Sequence, residues 1–133
     1  GHQIIIFEVP DDPILKKFRT DLSDTLPKTM WFNPSYSGVG DHKTLDWEAC
    51  FSVQGVAGKV WRYEEIQYEA YTRDGTKVTG NAKGFLARVI QHETDHVHGK
   101  LFIDYVPEGE LKTREELQEI RKREIESEEF FKE

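Results

Sequence analysis

Residues 91–100 read QHETDHVHGK and carry three histidines, a glutamate and an aspartate. They lie at the end of a helical pattern, a series from Phe85 to His96 whose members are spaced by four, three and four residues. This spacing keeps side chains on one face of an α-helix. Asn81 is a residue type that caps helix N-termini, and Gly99 is one that follows helix C-termini. The sequence therefore predicts a helix between Asn81 and Gly99.

Short strands are predicted on the N-terminal side of this helix. They share apolar and β-branched residues, alternation where one face is solvated, and turn residues between them. The predicted strands are QIIIFEV (3–9), TMWFNP (29–34), LDWEACFSV (45–53), the later part of KVWRYEEIQYEAYT (59–72) and KVT (77–79). Asn33-Pro34 is expected to end the second strand, and Asp74-Gly75 predicts a hairpin before the last. The pattern indicates an α+β fold, with antiparallel β-sheets around a central helix.

Length and composition bound the class of protein. The chain has 133 residues with 37% hydrophobic and 32% charged residues, which predicts a single domain over 1–133. The formal net charge of -7 is unlike the basic surface of a nucleic-acid-binding protein, and no apolar run has membrane-spanning length. With one cysteine, Cys50, no intramolecular disulfide can form, which favours a reducing compartment. Thr113 with Glu116 predicts a capping box that opens a charged helix over about 113–130.

His92 and His96 are four residues apart, so their imidazoles project from one helix face and can bind one tetrahedral cation. Glu93 stands beside the first histidine, where it could take a proton from an activated water without binding the metal. The alternative is that these residues form the polar face of an ordinary helix. A catalytic site of this kind needs a third protein ligand, and the sequence offers two candidates, Cys50 and Glu116.

The two motifs WEACFSV and QHETDH together resemble the second and third signature motifs of the peptide deformylases, E-G-C-hydrophobic-S and Q-H-E-x-D-H. The resemblance covers about residues 2–106, including the segments IIIFEV, WFNP, VWR and GKLFIDYV. Ala49 stands where the family has glycine. The first family motif, a glycine-rich stretch ending in glutamine, is absent, and Gln3 is too close to the strand to be that glutamine. We therefore expect an N-terminal part of the family domain to be missing, and the chain as written to be catalytically impaired.

The resemblance implies a hydrolase that removes the N-formyl group from formyl-methionine at the N-terminus of newly made polypeptides. It makes Cys50, His92 and His96 the metal ligands and Glu93 the general acid and base. It assigns the backbone N–H of Phe51 to the oxyanion. These roles agree with the chemistry of the residue types, since a thiolate and two imidazoles leave one coordination position open.

The resemblance also assigns residues around this centre. Phe85, Arg88 and Val89 are expected to border the pocket for the methionine side chain, although Phe85 and Val89 also fit a plain apolar core. Asp95 is expected to pair with Arg62 behind the site. The fold implied is the predicted α+β arrangement, in which the central helix binds the metal.

One divalent metal ion per chain is expected, with Fe²⁺ as the physiological ion and Zn²⁺, Ni²⁺ or Co²⁺ as alternatives. The expected partners are N-formyl-methionyl peptides, with no direct nucleic-acid or membrane binding. The expected location is the bacterial cytoplasm, with a mitochondrion or plastid as the alternative. Two other functions are considered: an H-E-x-x-H metalloprotease with Glu116 as the third ligand, and an impaired deformylase-like domain that binds without turnover.

Overall fold

The computed structural model describes residues 3–13, 25–50, 53–100, 106, 112–113, 116, 119–120 and 122–123. For residues 49–50 and 53–56 it describes the backbone alone. Within these ranges the chain forms strands followed by one long helix and a short final strand. The elements are β1 (Ile4–Val9), β2 (Leu26–Gly38), β3 (Lys43–Cys50), β4 (Val53–Tyr63), β5 (Glu65–Tyr71), β6 (Lys77–Lys83), α1 (Gly84–Val97) and β7 (Lys112–Thr113).

The strands form two antiparallel sheets. The first has the order β1-β2-β5-β6 and the second the order β3-β4-β7. The helix α1 follows directly from β6 of the first sheet. Antiparallel sheets packed with a helix confirm the α+β fold class.

Strand β2 does not end at Asn33-Pro34, so that expectation is wrong. It continues to Gly38 through an irregularity between Phe32 and Ser35, where the pairing with β5 shifts register. Asn33 takes a φ of 49°, in the left-handed region that asparagine tolerates better than most residues. The Asn33 N–H donates to the carbonyl of Gln3, at an N···O distance of 2.6 Å. A bulge of this kind lets a proline stand inside a strand without breaking the sheet.

The hairpin predicted at Asp74-Gly75 is confirmed. Strands β5 and β6 pair from Glu65 with Lys83 to Tyr71 with Lys77, and the loop between them contains the two turn residues. Gly75 has a φ of 86°, a conformation that a residue with a Cβ adopts only with strain.

One apolar core lies between the first sheet and α1. Its buried members come from β1, β2, β5, β6 and the helix: Ile5, Phe7, Val9, Trp31, Ile66, Ala70, Ala82, Leu86, Ala87 and Ile90. Trp31 packs edge-on against Phe7 and stacks on Tyr68, with ring centroids 4.9 and 4.8 Å apart. The core thus fixes one face of α1 on the first sheet.

The ends of α1 differ from each other in how well the sequence predicted them. Asn81 does not cap the helix: it lies in β6, and the N-cap position is Lys83, which makes no side-chain cap hydrogen bond. The prediction at Gly99 is correct, because its φ is 88° and its N–H donates to the carbonyl of His96. The N–H of Lys100 donates to the carbonyl of Asp95 at 2.8 Å, which completes a Schellman motif.

Among the residues that the structure describes, no helix is long and apolar enough to cross a membrane. In the C-terminal segment, positions 116, 119–120 and 122–123 are helical, and the Glu116 N–H donates to the Thr113 hydroxyl at 3.1 Å, as in the predicted capping box. The rest of the predicted helix over about 113–130 lies outside the described residues.

Candidate metal centre and active site

The helix α1 carries the three residues predicted at the centre of the site. His92 and His96 lie one turn apart, and Glu93 stands next to the first of them. His92 is buried, whereas Glu93 and His96 are half-buried. This gradient places the site where the helix passes from the interior toward the surface.

His92 is held by a carboxylate. Its Nδ1 lies 2.8 Å from Oε1 of Glu48, which projects from β3. An ionised carboxylate only accepts hydrogen bonds, so Nδ1 carries the proton and a metal would be bound through Nε2. A carboxylate behind a histidine is the usual second partner of a metal-binding imidazole. His92 therefore fits the role of a metal ligand.

Glu48 is the centre of a buried group of charges, the charge cluster, made of Glu48, Arg62, Arg88 and Asp95. Arg62 binds Glu48 through two parallel bonds, Nε to Oε2 at 2.8 Å and Nη2 to Oε1 at 2.9 Å. Its Nη1 donates to Oδ2 of Asp95 at 2.6 Å. Arg88 adds a bond from Nη1 to Glu48 Oε2 at 2.8 Å. The cluster joins two carboxylates to two guanidinium groups, so the buried charges balance.

These contacts decide the charge state of Glu48. Burial alone would raise the pKa of this carboxyl, but the hydrogen bonds from Arg62 and His92 and the charge of Arg62 outweigh burial and lower its pKa to about 2. The pKa of Arg62 is raised, because hydrogen bonds and charge from Glu48 and Asp95 outweigh the cost of its burial. Glu48 is thus a permanent acceptor for His92 at neutral pH.

The ion pair of Asp95 with Arg62 that the resemblance implies is present. Asp95 also accepts a hydrogen bond from the Tyr36 hydroxyl, at 2.8 Å from Oδ1. Tyr36 lies on β2 of the first sheet and Arg62 on β4 of the second, so Asp95 connects both sheets through the helix.

Cys50 is the last residue of β3, two residues beyond Glu48 on the same strand. Its backbone is placed by pairing with Val53, while its side chain is not among those described. Phe51, whose N–H was assigned to the oxyanion, lies outside the described residues. The described side chains contain no group of three potential metal ligands, and the two histidines of α1 are the part of the expected set that they include.

Glu116, the other candidate for the third ligand, is exposed. It does not form a group of three ligands with His92 and His96 among the described side chains. The arrangement gives no support to the metalloprotease alternative.

The three residues expected around the substrate pocket differ in their surroundings. Phe85 and Val89 are half-buried and pack against the apolar core. Arg88 is buried, and its guanidinium is directed to Glu48 and to carbonyls of β3 and β4. A contact of Arg88 with a substrate side chain would therefore involve its aliphatic stem.

A model of the polypeptide deformylase family matches residues 1–112. The chain belongs to the polypeptide deformylase family. Peptide deformylase 2 of Rickettsia conorii is 52% identical over 125 residues, which are 94% of this chain and 62% of that protein. Peptide deformylase 1 of Prochlorococcus marinus is 42% identical over 96 residues, which are 67% of this chain and 50% of that protein.

Solved deformylase structures resemble the fold. The chain superposes on a class I type b peptide deformylase from Acinetobacter baumannii with Met-Ala-Ser bound, with a TM-score of 0.67 and 28% identity over 78% of this chain and 62% of that one. A Synechococcus elongatus deformylase in complex with actinonin gives a TM-score of 0.61 and 30% identity over 88% of this chain and 53% of that one. The chain thus spans about half to six-tenths of the length of these relatives.

Sequence reasoning missed the roles of Glu48 and Gln91 in this deformylase-family site. Gln91 is fully buried, and its side-chain amide binds both the N–H and the carbonyl of Tyr63 on β4, at 3.0 and 2.9 Å. The signal was the residue type: a glutamate within the strand WEAC and an amide within an apolar helix face are costly to bury without partners. The partners themselves are far away in the sequence and could not be read from it.

Proposed function

We propose that this chain carries the catalytic core of a metal-dependent deformylase, which removes the N-formyl group from formyl-methionine at the N-terminus of newly made polypeptides. The observation that carries the proposal is the bond from His92 Nδ1 to the buried Glu48, within a chain of the deformylase family. It orients an imidazole for metal binding on the helix face that also bears His96. The Acinetobacter baumannii relative with bound Met-Ala-Ser supports a peptide as substrate.

The donor set proposed for the ion is the thiolate of Cys50 with the imidazoles of His92 and His96. When bound, a divalent ion supplies Lewis-acid activation of water and of the formyl oxygen. We propose Fe²⁺ as the physiological ion, because one thiolate and two imidazoles suit several borderline metals and the family resemblance favours iron. Zn²⁺, Ni²⁺ and Co²⁺ suit the same donor set.

In the proposed reaction Glu93 takes the proton of the attacking water and returns it to the amine that leaves. Glu93 is half-buried on α1 and lies one residue from His92, so it can reach a water at the imidazole without belonging to the charge cluster. The backbone N–H of Phe51 is proposed to bind the oxyanion that forms on the formyl group. Phe85 and Val89 are proposed to contact the methionine side chain.

The test is a deformylation assay on formyl-Met-Ala-Ser, with the full chain loaded anaerobically with Fe²⁺ or, for stability against oxidation, with Ni²⁺. Glu93→Ala should retain the metal and lose about two to four decades of rate, as expected when a general base is removed. Glu69→Ala is the matched control, since Glu69 is half-buried on β5, where its carboxylate pairs with the exposed Lys77. Stoichiometric metal with no turnover would instead favour the domain that binds without catalysis.

A second experiment separates the deformylase from the metalloprotease. Cys50→Ala should abolish stoichiometric metal binding in a deformylase, whereas a protease that used Glu116 would keep its metal. The measurement is the metal content of the purified variant, with Glu116→Ala beside it. We further propose a cytoplasmic location in a bacterium, with a mitochondrion or plastid as the alternative compartments that make formylated proteins.

A further inference from the structure

The helix α1 has two buried sides that contact different sheets in different ways. Leu86, Ala87 and Ile90 belong to the apolar core with the first sheet. Toward the second sheet, the buried residues of the helix are polar, and Arg88 and Gln91 reach β3 and β4 through hydrogen bonds. The strand that ends in Cys50 is therefore connected to the helix that bears the histidines largely through polar contacts.

Arg88 makes most of these hydrogen bonds between the helix and the second sheet. Its Nη1 donates to Glu48 Oε2 at 2.8 Å and to the Val60 carbonyl at 2.9 Å. Its Nη2 donates to the Thr44 carbonyl at 2.8 Å and to the Thr44 hydroxyl at 3.2 Å. A longer bond of 3.5 Å joins Nη1 to the Asp46 carbonyl, so one side chain of the helix is bound to three residues of β3 and one of β4. A guanidinium can satisfy these acceptors together because its donors lie in a fixed planar fork.

We infer that Arg88 is a positioning residue of the metal centre, which holds β3 and Glu48 at a fixed place against the helix face of His92 and His96. This inference rests on the proposed function, since it assumes that Cys50 at the end of β3 and the two histidines bind one ion. It gives Arg88 a role besides the pocket contact implied by the family resemblance.

The physical reason lies in the distribution of the ligands over two elements. The two histidines share one helix and keep their spacing by themselves, but Cys50 moves with β3. A metal centre tolerates displacements of only about 0.5 Å from its preferred geometry. Arg88 limits the motion of β3 relative to α1, and through Glu48 Oε2 it also limits the carboxylate whose other oxygen holds His92 Nδ1.

Arg88→Met is the informative change, because methionine keeps the unbranched apolar stem and removes the charge and all five hydrogen bonds. Glu48 retains its two bonds from Arg62 in this variant. Arg88→Lys is the conservative variant, since one ammonium can bind Glu48 but cannot reach the acceptors on β3 and β4 in the same planar arrangement. Lys77→Met is the matched control, because Lys77 pairs with Glu69 on the exposed side of the first sheet.

The experiment is a titration of the metal-free full chain with Co²⁺, followed through the visible absorption of the bound ion, with thermal unfolding measured on the same samples. We expect the Co²⁺ dissociation constant of Arg88→Met to rise about 10–100-fold, the range found when outer partners of metal ligands are removed. Arg88→Lys should lie between this variant and the wild type, with Lys77→Met equal to the wild type. The absorption spectrum of Arg88→Met should differ from that of the wild type, because the ligand geometry changes.

A variant Arg88→Met that has a lower melting temperature, but the Co²⁺ affinity and spectrum of the wild type, would overturn the inference and leave Arg88 a merely structural residue. If Arg88→Met does not fold without metal, Arg88→Lys decides, and an affinity equal to that of the wild type overturns the inference. His96→Ala, with exposed His98→Ala as its control, shows whether the histidines bind the ion at all. If the wild-type protein does not bind one Co²⁺ per chain, both the proposed function and this inference are overturned. If Arg88→Met binds Co²⁺ with the affinity and spectrum of the wild type, this inference alone is overturned.

Discussion

Replacing Glu48 by glutamine removes the negative charge from the centre of the charge cluster and keeps the shape of the side chain. Arg62 and Arg88 then face a neutral amide, whose NH₂ group can accept none of their hydrogen bonds. Both guanidinium groups are almost fully buried, with 4% and 3% of their residue surfaces exposed, so water cannot replace the lost carboxylate. Removing one partner of a buried ion pair typically costs about 3–5 kcal/mol.

The lowered pKa of Glu48 gives a second estimate of how much its charge contributes to the free energy of unfolding. A carboxyl whose pKa falls from 4.5 in the unfolded chain to about 2 in the folded protein contributes roughly 3 kcal/mol to the free energy of unfolding at neutral pH. The two values agree. Because the folded-state pKa is the lower one, this contribution is complete above pH 4.5 and is lost as the pH falls toward 2.

The assay is urea unfolding of the metal-free protein at pH 7 and at several pH values between 5 and 3, for the wild type, Glu48→Gln and Glu69→Gln. Glu48→Gln should be destabilised by about 3 kcal/mol at pH 7 and should show a weaker loss of stability with acid than the wild type. Glu69→Gln, which alters an exposed ion pair with Lys77, should change the free energy of unfolding by less than about 1 kcal/mol. A loss below about 1 kcal/mol for Glu48→Gln, or an acid dependence equal to that of the wild type, would refute the reasoning.

Three further predictions concern the packing around the site, each measured by urea unfolding. Gln91→Leu should lower the free energy of unfolding by about 2–4 kcal/mol, because the N–H and carbonyl of Tyr63 lose their buried hydrogen-bond partner. A change near zero would mean that water or neighbouring strand residues replace these two hydrogen bonds. Gly58→Ala should cost about 1–3 kcal/mol, since the added Cβ would lie 2.6 Å from Cγ2 of Val106; unchanged stability would show that Val106 moves aside without cost. Ile66→Ala should cost about 2–5 kcal/mol, because Ile66 is completely buried in the core, and a loss under 1 kcal/mol would contradict the packing described.

Elements that depend on a few neighbouring residues were predicted correctly from the sequence. The alternation of Ile66, Tyr68 and Ala70 marks the inner face of β5, and Ile66 and Ala70 are buried as expected. The turn at Asp74-Gly75 and the helix end at Gly99 depend on residues that tolerate a positive φ, so they too can be read from a few positions.

The same local reasoning failed where pairing with another strand decides the outcome. Asn33-Pro34 ends a strand by its own preferences, but hydrogen bonds to Gln3, which precedes β1, and the pairing with β5 carry β2 past it as a bulge. Asn81 has a capping side chain, but pairing with Gln67 keeps it in β6 and moves the start of the helix to Gly84. In both cases long-range backbone pairing outweighs a local preference of about 1–2 kcal/mol.

The sequence by itself determined the spacing of His92, Glu93 and His96, because an α-helix places residues four apart on one face whatever the rest of the chain does. It could also indicate that Glu48 and Arg88 need partners, since buried charges are costly. Only the tertiary structure decided which partners they have, by bringing together residues that are 40 positions apart for this pair and 44 for Glu48 and His92. The physical reason is that a charge has no preferred sequence separation for its counter-ion, so the pairing follows from how the two sheets pack around the helix.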